Sequence, residues 1–404
     1  MSSNSAKQKR IYLDYASTTP LDLGVAKAVR QFESQDFGNP SSIHMEGVVA
    51  KKAVASARKK VAALFSAHED EVIFTSGGTE ANNLAIFGTI RVLEKQGVAM
   101  SKMHAVTSVV EHSSILECFK HYESRGMKVD YVPVTEKGIV DMKALKKVLR
   151  PNTVLVSIHY ANSEIGTIQP IRDIAKLVRH YRKTESQTKN KTKNKIIFHT
   201  DASQAAQYLD MNTQILGVDL MTIDAHKMYG PKGVGALFVK RGVALEPILF
   251  GGKQEGGFRS TTENVSGIVG LSEAFSLAAE LRESETMRLS QLRDYFFSAV
   301  QQMNPSVHIN GDLDFRLPNN INISIPKLDA EYAVMQFDAA GIACSTKSSC
   351  LTDAGLSYVI FALDSDTERA STALRFTLGR GTTKKDIDQT LAVLKDILTR
   401  QKIV

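Results

Sequence analysis

Residues 71–80 read Glu-Val-Ile-Phe-Thr-Ser-Gly-Gly-Thr-Glu. A short apolar run, a glycine pair and a helix opened by Thr79 follow one another without a gap, which is the strand–turn–helix joint of an α/β protein. Free N–H groups and the dipole at such a helix start favour a phosphate, although the same turn also serves plain chain connections. The pattern repeats outward from this joint. Strands are expected at Val72–Phe74, His104–Ser108, Val154–His159, Ile196–His199, Leu220–Ile223 and Ala236–Val239, with helices between them, including Thr79 to Lys95 and Ile171 to Arg182. Such alternation describes a parallel sheet covered on both faces. After residue 265 a long amphipathic stretch, Ser266 to Met303, leads to short strands at Ile321–Ile325 and Leu374–Thr377 and a closing helix, Lys385 to Gln401.

Composition sets the class of protein. The 404 residues are 43% hydrophobic, with 50 basic against 43 acidic side chains, which excludes a disordered chain and a coiled coil. Three cysteines without a CxxC pair argue against a disulfide framework and a thiolate zinc site. The first residues, MSSNSAKQKR, hold no apolar signal segment, and no apolar run approaches the roughly 18 residues of a membrane span. A cytoplasmic protein without membrane contact is the expectation. The net charge of +7 is local: Lys7, Lys9 and Arg10 lie in the N-terminal tail, and seven Lys or Arg face only Glu185 between Arg179 and Lys195. The basic part of that second stretch, TESQTKNKTKNK (184–195), is expected as a solvated surface loop, without direct nucleic-acid binding.

In open parallel sheets ligands bind outside the carboxyl ends of the strands. Asp201 ends one expected strand there, in HTDASQ, and the strand LMTI runs into Asp224-Ala-His-Lys-Met-Tyr-Gly-Pro-Lys-Gly233. Lys227, beside His226 and before a rigid Gly-Pro turn, is placed as a Schiff-base lysine would be. An acid for a pyridinium nitrogen, a lysine for the aldehyde carbon and a helix start for a phosphate are three parts of a pyridoxal 5'-phosphate site. His112, in VVEHSSI, supplies a fourth as an imidazole able to stack on a flat ring.

The segments IYLDYASTTP, FGNPSSIH, VIFTSGGTEANNLAI, NSEIGTIQPI, TDASQ, AHKMYGPKGVGAL, GGKQEGGFRSTTEN and LRFTLGR occur in this order. Together they resemble the signature segments of cysteine desulfurases of the NifS and IscS group, class V, fold-type I pyridoxal phosphate enzymes. The resemblance implies a large domain over residues 22–280, with a mostly parallel sheet of seven-stranded type covered by helices. It also implies a smaller α+β domain formed by residues 1–21 and 281–404. By the same resemblance, Lys227 binds the cofactor and takes the substrate α-proton, Asp201 holds the pyridine nitrogen, Gln204 the ring hydroxyl, and His112 stacks on the ring. Gly78, Thr79 and His226 become phosphate ligands. Thr262 reaches the phosphate of another subunit, which implies a homodimer. Arg375 holds the substrate carboxylate, with Asn39 as a helper.

The resemblance implies L-cysteine as substrate, L-alanine as product and a persulfide on a loop cysteine. A sulfur-acceptor protein follows, either an iron–sulfur scaffold or a sulfur relay serving tRNA thiolation. Cys350 is placed at the nucleophile position by its GIAC and SYV flanks, in a polar stretch three residues after Lys347. Cys344 reads as a small buried side chain, and Cys118 as structural. Five positions depart from the family pattern: Ser163, able to bond the ring oxygen in place of asparagine; Asp224, where serine is frequent; Thr261; Lys347; and Ser349. The Asp224 carboxylate is expected to point away from the phosphate or to be offset by a neighbouring cation such as Lys232. A selenocysteine lyase, a class V aminotransferase and a degenerate non-catalytic paralogue are the alternative readings.

Overall fold

The structure is a computed structural model, and it describes residues 10–186, 195–346 and 356–403. Seven strands form the main sheet: β1 (Val72–Thr75), β2 (His104–Ser108), β3 (Lys128–Val132), β4 (Thr153–Ser157), β5 (Ile197–Asp201), β6 (Leu220–Asp224) and β7 (Gly235–Val239). Their order across the sheet is β1-β7-β6-β5-β4-β2-β3. The neighbours β2 to β6 run parallel, and β7 is antiparallel to both β1 and β6. The connection from β6 to β7 is too short for a crossover helix, so the chain must turn back on itself. Every residue of β2, β4, β6 and β7 is buried, as expected of strands covered on both faces.

The expected strands lie within two residues of the observed ones. The exception is β3, whose KVDYV sequence alternates polar and apolar on the outer edge and was not anticipated from the pattern. The helix Gly78–Lys95 begins one residue before Thr79, with Gly77, which has no side chain of its own to cap it, at the N-cap. The helix Ile171–Ser186 runs past Arg182 into the expected basic loop; the rest of that loop, 187–194, lies outside the described residues. Gly77 adopts φ 153°, a conformation side-chain residues rarely take, and a Cβ on Gly235 would stand 2.8 Å from the Gly77 carbonyl carbon. The turn and β7 therefore need glycine on both sides.

One helix, Val265–Met303, runs for 39 residues. At its start Lys60 pairs with Glu273. Further along, Phe296 packs on Phe376 at 5.3 Å between ring centres, and Arg293 Nη1 donates to Leu317 O. Phe376 belongs to a second group of strands, antiparallel Ala373–Thr377, Asn320–Ser324 and His308–Ile309, and Leu317 lies just before the middle one. A parallel pair, Ile11–Tyr12 with Ile342–Ala343, ties the N-terminal segment to the C-terminal part. An isolated bridge from Asp14 to Thr377 extends that tie and sets Asp14 beside Arg375. No helix among the described residues is long and apolar enough to cross a membrane.

Candidate active site

The carboxyl ends of β2, β4, β5 and β6 open into one cavity of about 210 Å³. Gly78, Thr79, His112, Ser163, Asp201, Gln204, Asp224, His226, Lys227 and Arg375 line it. Asn39 is exposed, with Oδ1 accepting from Ser41 N, and Thr262 is exposed; neither lines this cavity. Cys350, Lys347 and Ser349 lie outside the described residues.

Lys227 arrives on a stiff turn. Tyr229 sits at φ 62°, held by Thr19, which accepts from Tyr229 N at 2.7 Å, and by Arg380 stacked 4.1 Å from its ring centre. The strain of a left-handed tyrosine is thus carried by contacts around it. Lys227 Nζ donates to the carbonyls of Ala16 at 2.7 Å and Ser17 at 2.8 Å, and Gln204 Nε2 donates to the same Ala16 carbonyl. The N-terminal segment therefore presents backbone oxygens to both side chains.

Asp201 is the charged end of a relay that the sequence reading missed. Burial pushes its pKa up, but donation from Ser203 N and Oγ, donation from Asn82 Nδ2, and the charge of His112 outweigh it, and the net direction is down. A carboxylate held in this way is suited to keep a neighbouring ring nitrogen protonated. Asn82 also donates to Ser114 Oγ, and Ser114 Oγ meets His112 Nδ1 at 2.8 Å. Because the Ser114 backbone N–H also donates to that Nδ1, the ring proton of neutral His112 belongs on Nε2.

Asp224 neither points away nor pairs with Lys232. Its Oδ2 accepts from Gly78 N at 2.7 Å and stands 3.5 Å from His226 Nε2, and its Oδ1 accepts from His226 N. A free helix start attracts any carboxylate within reach, and here that attraction sets the direction of Asp224. Arg375, 1% exposed, donates from Nη2 to Asp14 at 2.8 Å and to Ser17 Oγ, and from Nη1 to the Ser163 carbonyl.

These residues fit pyridoxal phosphate. Three buried polar atoms with no partner among the described residues, Asn82 Oδ1, His159 Nε2 and Arg375 Nε, belong to side chains that line the cavity. A site rich in unpaired donors and acceptors is built for a polar ligand. Among the described residues no cluster of three or more metal-ligating side chains occurs.

Residues 11–390 match the family model described as aminotransferase class-V. A cysteine desulfurase IscS of Dictyoglomus turgidum is 42% identical over 398 residues, covering 98% of this chain and 96% of that protein. The chain belongs to the class-V aminotransferase family, in its cysteine desulfurase group. Among solved structures, a NifS-like protein superposes with a TM-score of 0.88 at 33% identity, covering 97% of this chain and 100% of the other. The structure titled SspA in complex with cysteine gives 0.76 at 30% identity, covering 91% and 98%. Members of this group are fold-type I enzymes dependent on pyridoxal phosphate, and the sheet and helices of this desulfurase correspond to them.

Proposed function

We propose that this protein takes the sulfur of L-cysteine onto Cys350, leaving L-alanine, with the cavity at the strand ends as its cofactor and substrate site. The convergence of Lys227, Asp201, His112 and Arg375 on one cavity is the observation that carries this reading. Gly78, Thr79 and His226 would hold the cofactor phosphate, with Asp201 on the ring nitrogen, Gln204 and Ser163 on the ring oxygen, and His112 against the ring. Bound there, pyridoxal phosphate supplies an electron sink for the substrate α-carbon. Lys227 Nζ takes the α-proton. Arg375, already fixed by Asp14 and Ser163, orients the substrate carboxylate with the donors it has left. The Cys350 thiolate attacks the substrate sulfur, whose bond to carbon breaks, and the persulfide stays on the enzyme.

A homodimer is part of this proposal. Phe37 (70% exposed), Ile43 (97%) and Met45 (78%) bring apolar side chains to the surface. Pro40 and Ser41, between them, share a groove with Lys253, Gln254 and Glu263, beside Thr262. An apolar patch of this kind marks an interaction surface. The division into a large domain (22–280) and a small one (1–21 with 281–404) belongs to the same proposal, with Asn39 and Thr262 serving the neighbouring site. So do a cytoplasmic location and a sulfur acceptor of the iron–sulfur scaffold or relay kind.

The test is sulfide and alanine formation from L-cysteine with a reductant, in wild type, K227A and C350A. Equal yields of both products, abolished by either substitution, are expected. Wild-type yields from C350A would overturn the nucleophile, and transfer of the amino group to a keto acid would favour an aminotransferase.

A further inference from the structure

His159 is 4% exposed and lines the cavity, whereas Glu111, fully buried, does not. The imidazole is therefore the wall between a buried carboxylate and the ligand space. Glu111 Oε1 meets His159 Nδ1 at 2.9 Å, and the carboxylate also accepts from Ser108 Oγ at 2.5 Å and from His159 N at 2.9 Å. A carboxylate facing three donors acts as acceptor to each, so the ring proton sits on Nδ1. Nε2 of the neutral ring is then an acceptor, and among the described residues no group donates to it. A buried acceptor left unpaired carries its full desolvation penalty. The neutral form of His112 has the opposite tautomer, since Ser114 N donates to its Nδ1. One cavity thus holds two histidines of opposite proton placement.

We infer that His159 Nε2 accepts a hydrogen bond from the bound cofactor and substrate, directly or through one water, and that Glu111 is the positioning residue that fixes its tautomer. The inference rests on the proposed pyridoxal phosphate site. The strand β4 ends at Ser157, and Tyr160 N donates to Asp201 O at 2.8 Å. His159 therefore stands on the segment directly alongside the Asp201 strand end, where the cofactor ring is expected.

The experiment titrates apo protein with pyridoxal 5'-phosphate and records the visible absorption and circular dichroism of the bound cofactor in wild type, H159N, H159Q and E111Q. Asparagine keeps a donor for Glu111 and removes the atom at Nε2, whereas glutamine restores a polar atom there. H159N is expected to raise the Kd for the cofactor about tenfold, the worth of one hydrogen bond, and to shift its spectrum. H159Q recovers most of both. E111Q, which lets the ring change tautomer, shifts the spectrum with a smaller effect on Kd. Wild-type Kd and spectrum in H159N and E111Q would overturn the inference, and so would equal impairment of H159N and H159Q, which packing alone would produce. If H159N does not fold, the spectral shift in E111Q decides. A wild-type protein without cofactor absorption would overturn the proposed function as well; normal wild-type absorption with unmoved variants would overturn only the role of His159.

Discussion

The Asp224 carboxylate caps the glycine turn before the helix Gly78–Lys95, with Oδ2 2.7 Å from Gly78 N. This N–H is one of the donors that a phosphate would use at this helix start. Two like charges about 4 Å apart repel by roughly 4 kcal/mol at an effective dielectric near 20, so cofactor and Asp224 compete for one seat. D224S should lower the Kd for pyridoxal phosphate about tenfold, a fraction of that upper figure. The apo variant should melt at a lower temperature than apo wild type, having lost the contact to Gly78. Titration by cofactor absorption and melting curves with and without cofactor read both effects. Weaker cofactor binding in D224S would mean that Asp224 serves the phosphate by orienting His226.

Arg375 Nη2 and Asp14 form a pair in which the arginine is nearly sealed from solvent. R375K keeps a charge but loses the planar fork that grips a carboxylate through two nitrogens. Its KM for L-cysteine should rise about tenfold or more, with a smaller change in kcat. R375A should in addition destabilise the fold by about 3 kcal/mol, because Asp14 loses its partner in a largely buried setting. Steady-state kinetics and urea denaturation separate the two effects. Unchanged KM in R375K would move the substrate carboxylate elsewhere.

The strands and the ends of β5 and β6 were legible because buried β-branched runs and a lysine before Gly-Pro are local signals. Asp201, Lys227 and His112 could be read from such signals. Asn82, Ser114, Glu111 and His159 could not, since each acquires its role from a partner many residues away. Asn82 reaches Ser114 on another helix and Asp201 on another strand. The one available signal for His159 was its place just past a strand end, in VSIHYAN, where the rule for open sheets puts ligands. Asp224 was misread because the sequence shows its charge but not the direction of its carboxylate.

Cys344 and Cys350 are six residues apart, and their chemistry should differ. Burial pushes the Cys344 thiol up to about 12, with the negative charge of Asp14 adding to the rise. Burial and Glu117 push Cys118 likewise to about 12. Neither is a thiolate near neutral pH, and the thiolate is the nucleophile. C344S should turn over L-cysteine at the wild-type rate. Iodoacetamide at neutral pH should label Cys350 first, with Cys344 and Cys118 reacting only after denaturation, as peptide mass mapping would show. Loss of activity in C344S with the fold intact would assign the persulfide to the wrong thiol.

His199, inside β5, bonds Ser157 Oγ at 2.9 Å and Thr222 Oγ1 at 3.1 Å, tying β4, β5 and β6 together below the cavity. Burial lowers its pKa to about 4, against the opposing pull of Asp201. In the unfolded chain the ring titrates near 6.5. Between these values the unfolded state holds more protons, so folding stability rises with pH there and is lost as acid is added. The melting temperature of wild type should therefore fall from about pH 6.5 down to about pH 4. H199Q, which keeps an amide between the two hydroxyls but takes up no proton, should flatten that limb, even if it melts lower at neutral pH. The depressed Asp201 adds a loss of the same sign, below its ordinary value of about 3.9, so the two limbs are separable by pH. Melting curves across this range for both proteins check the assignment, and an unchanged acid limb in H199Q would place the responsible proton on another group.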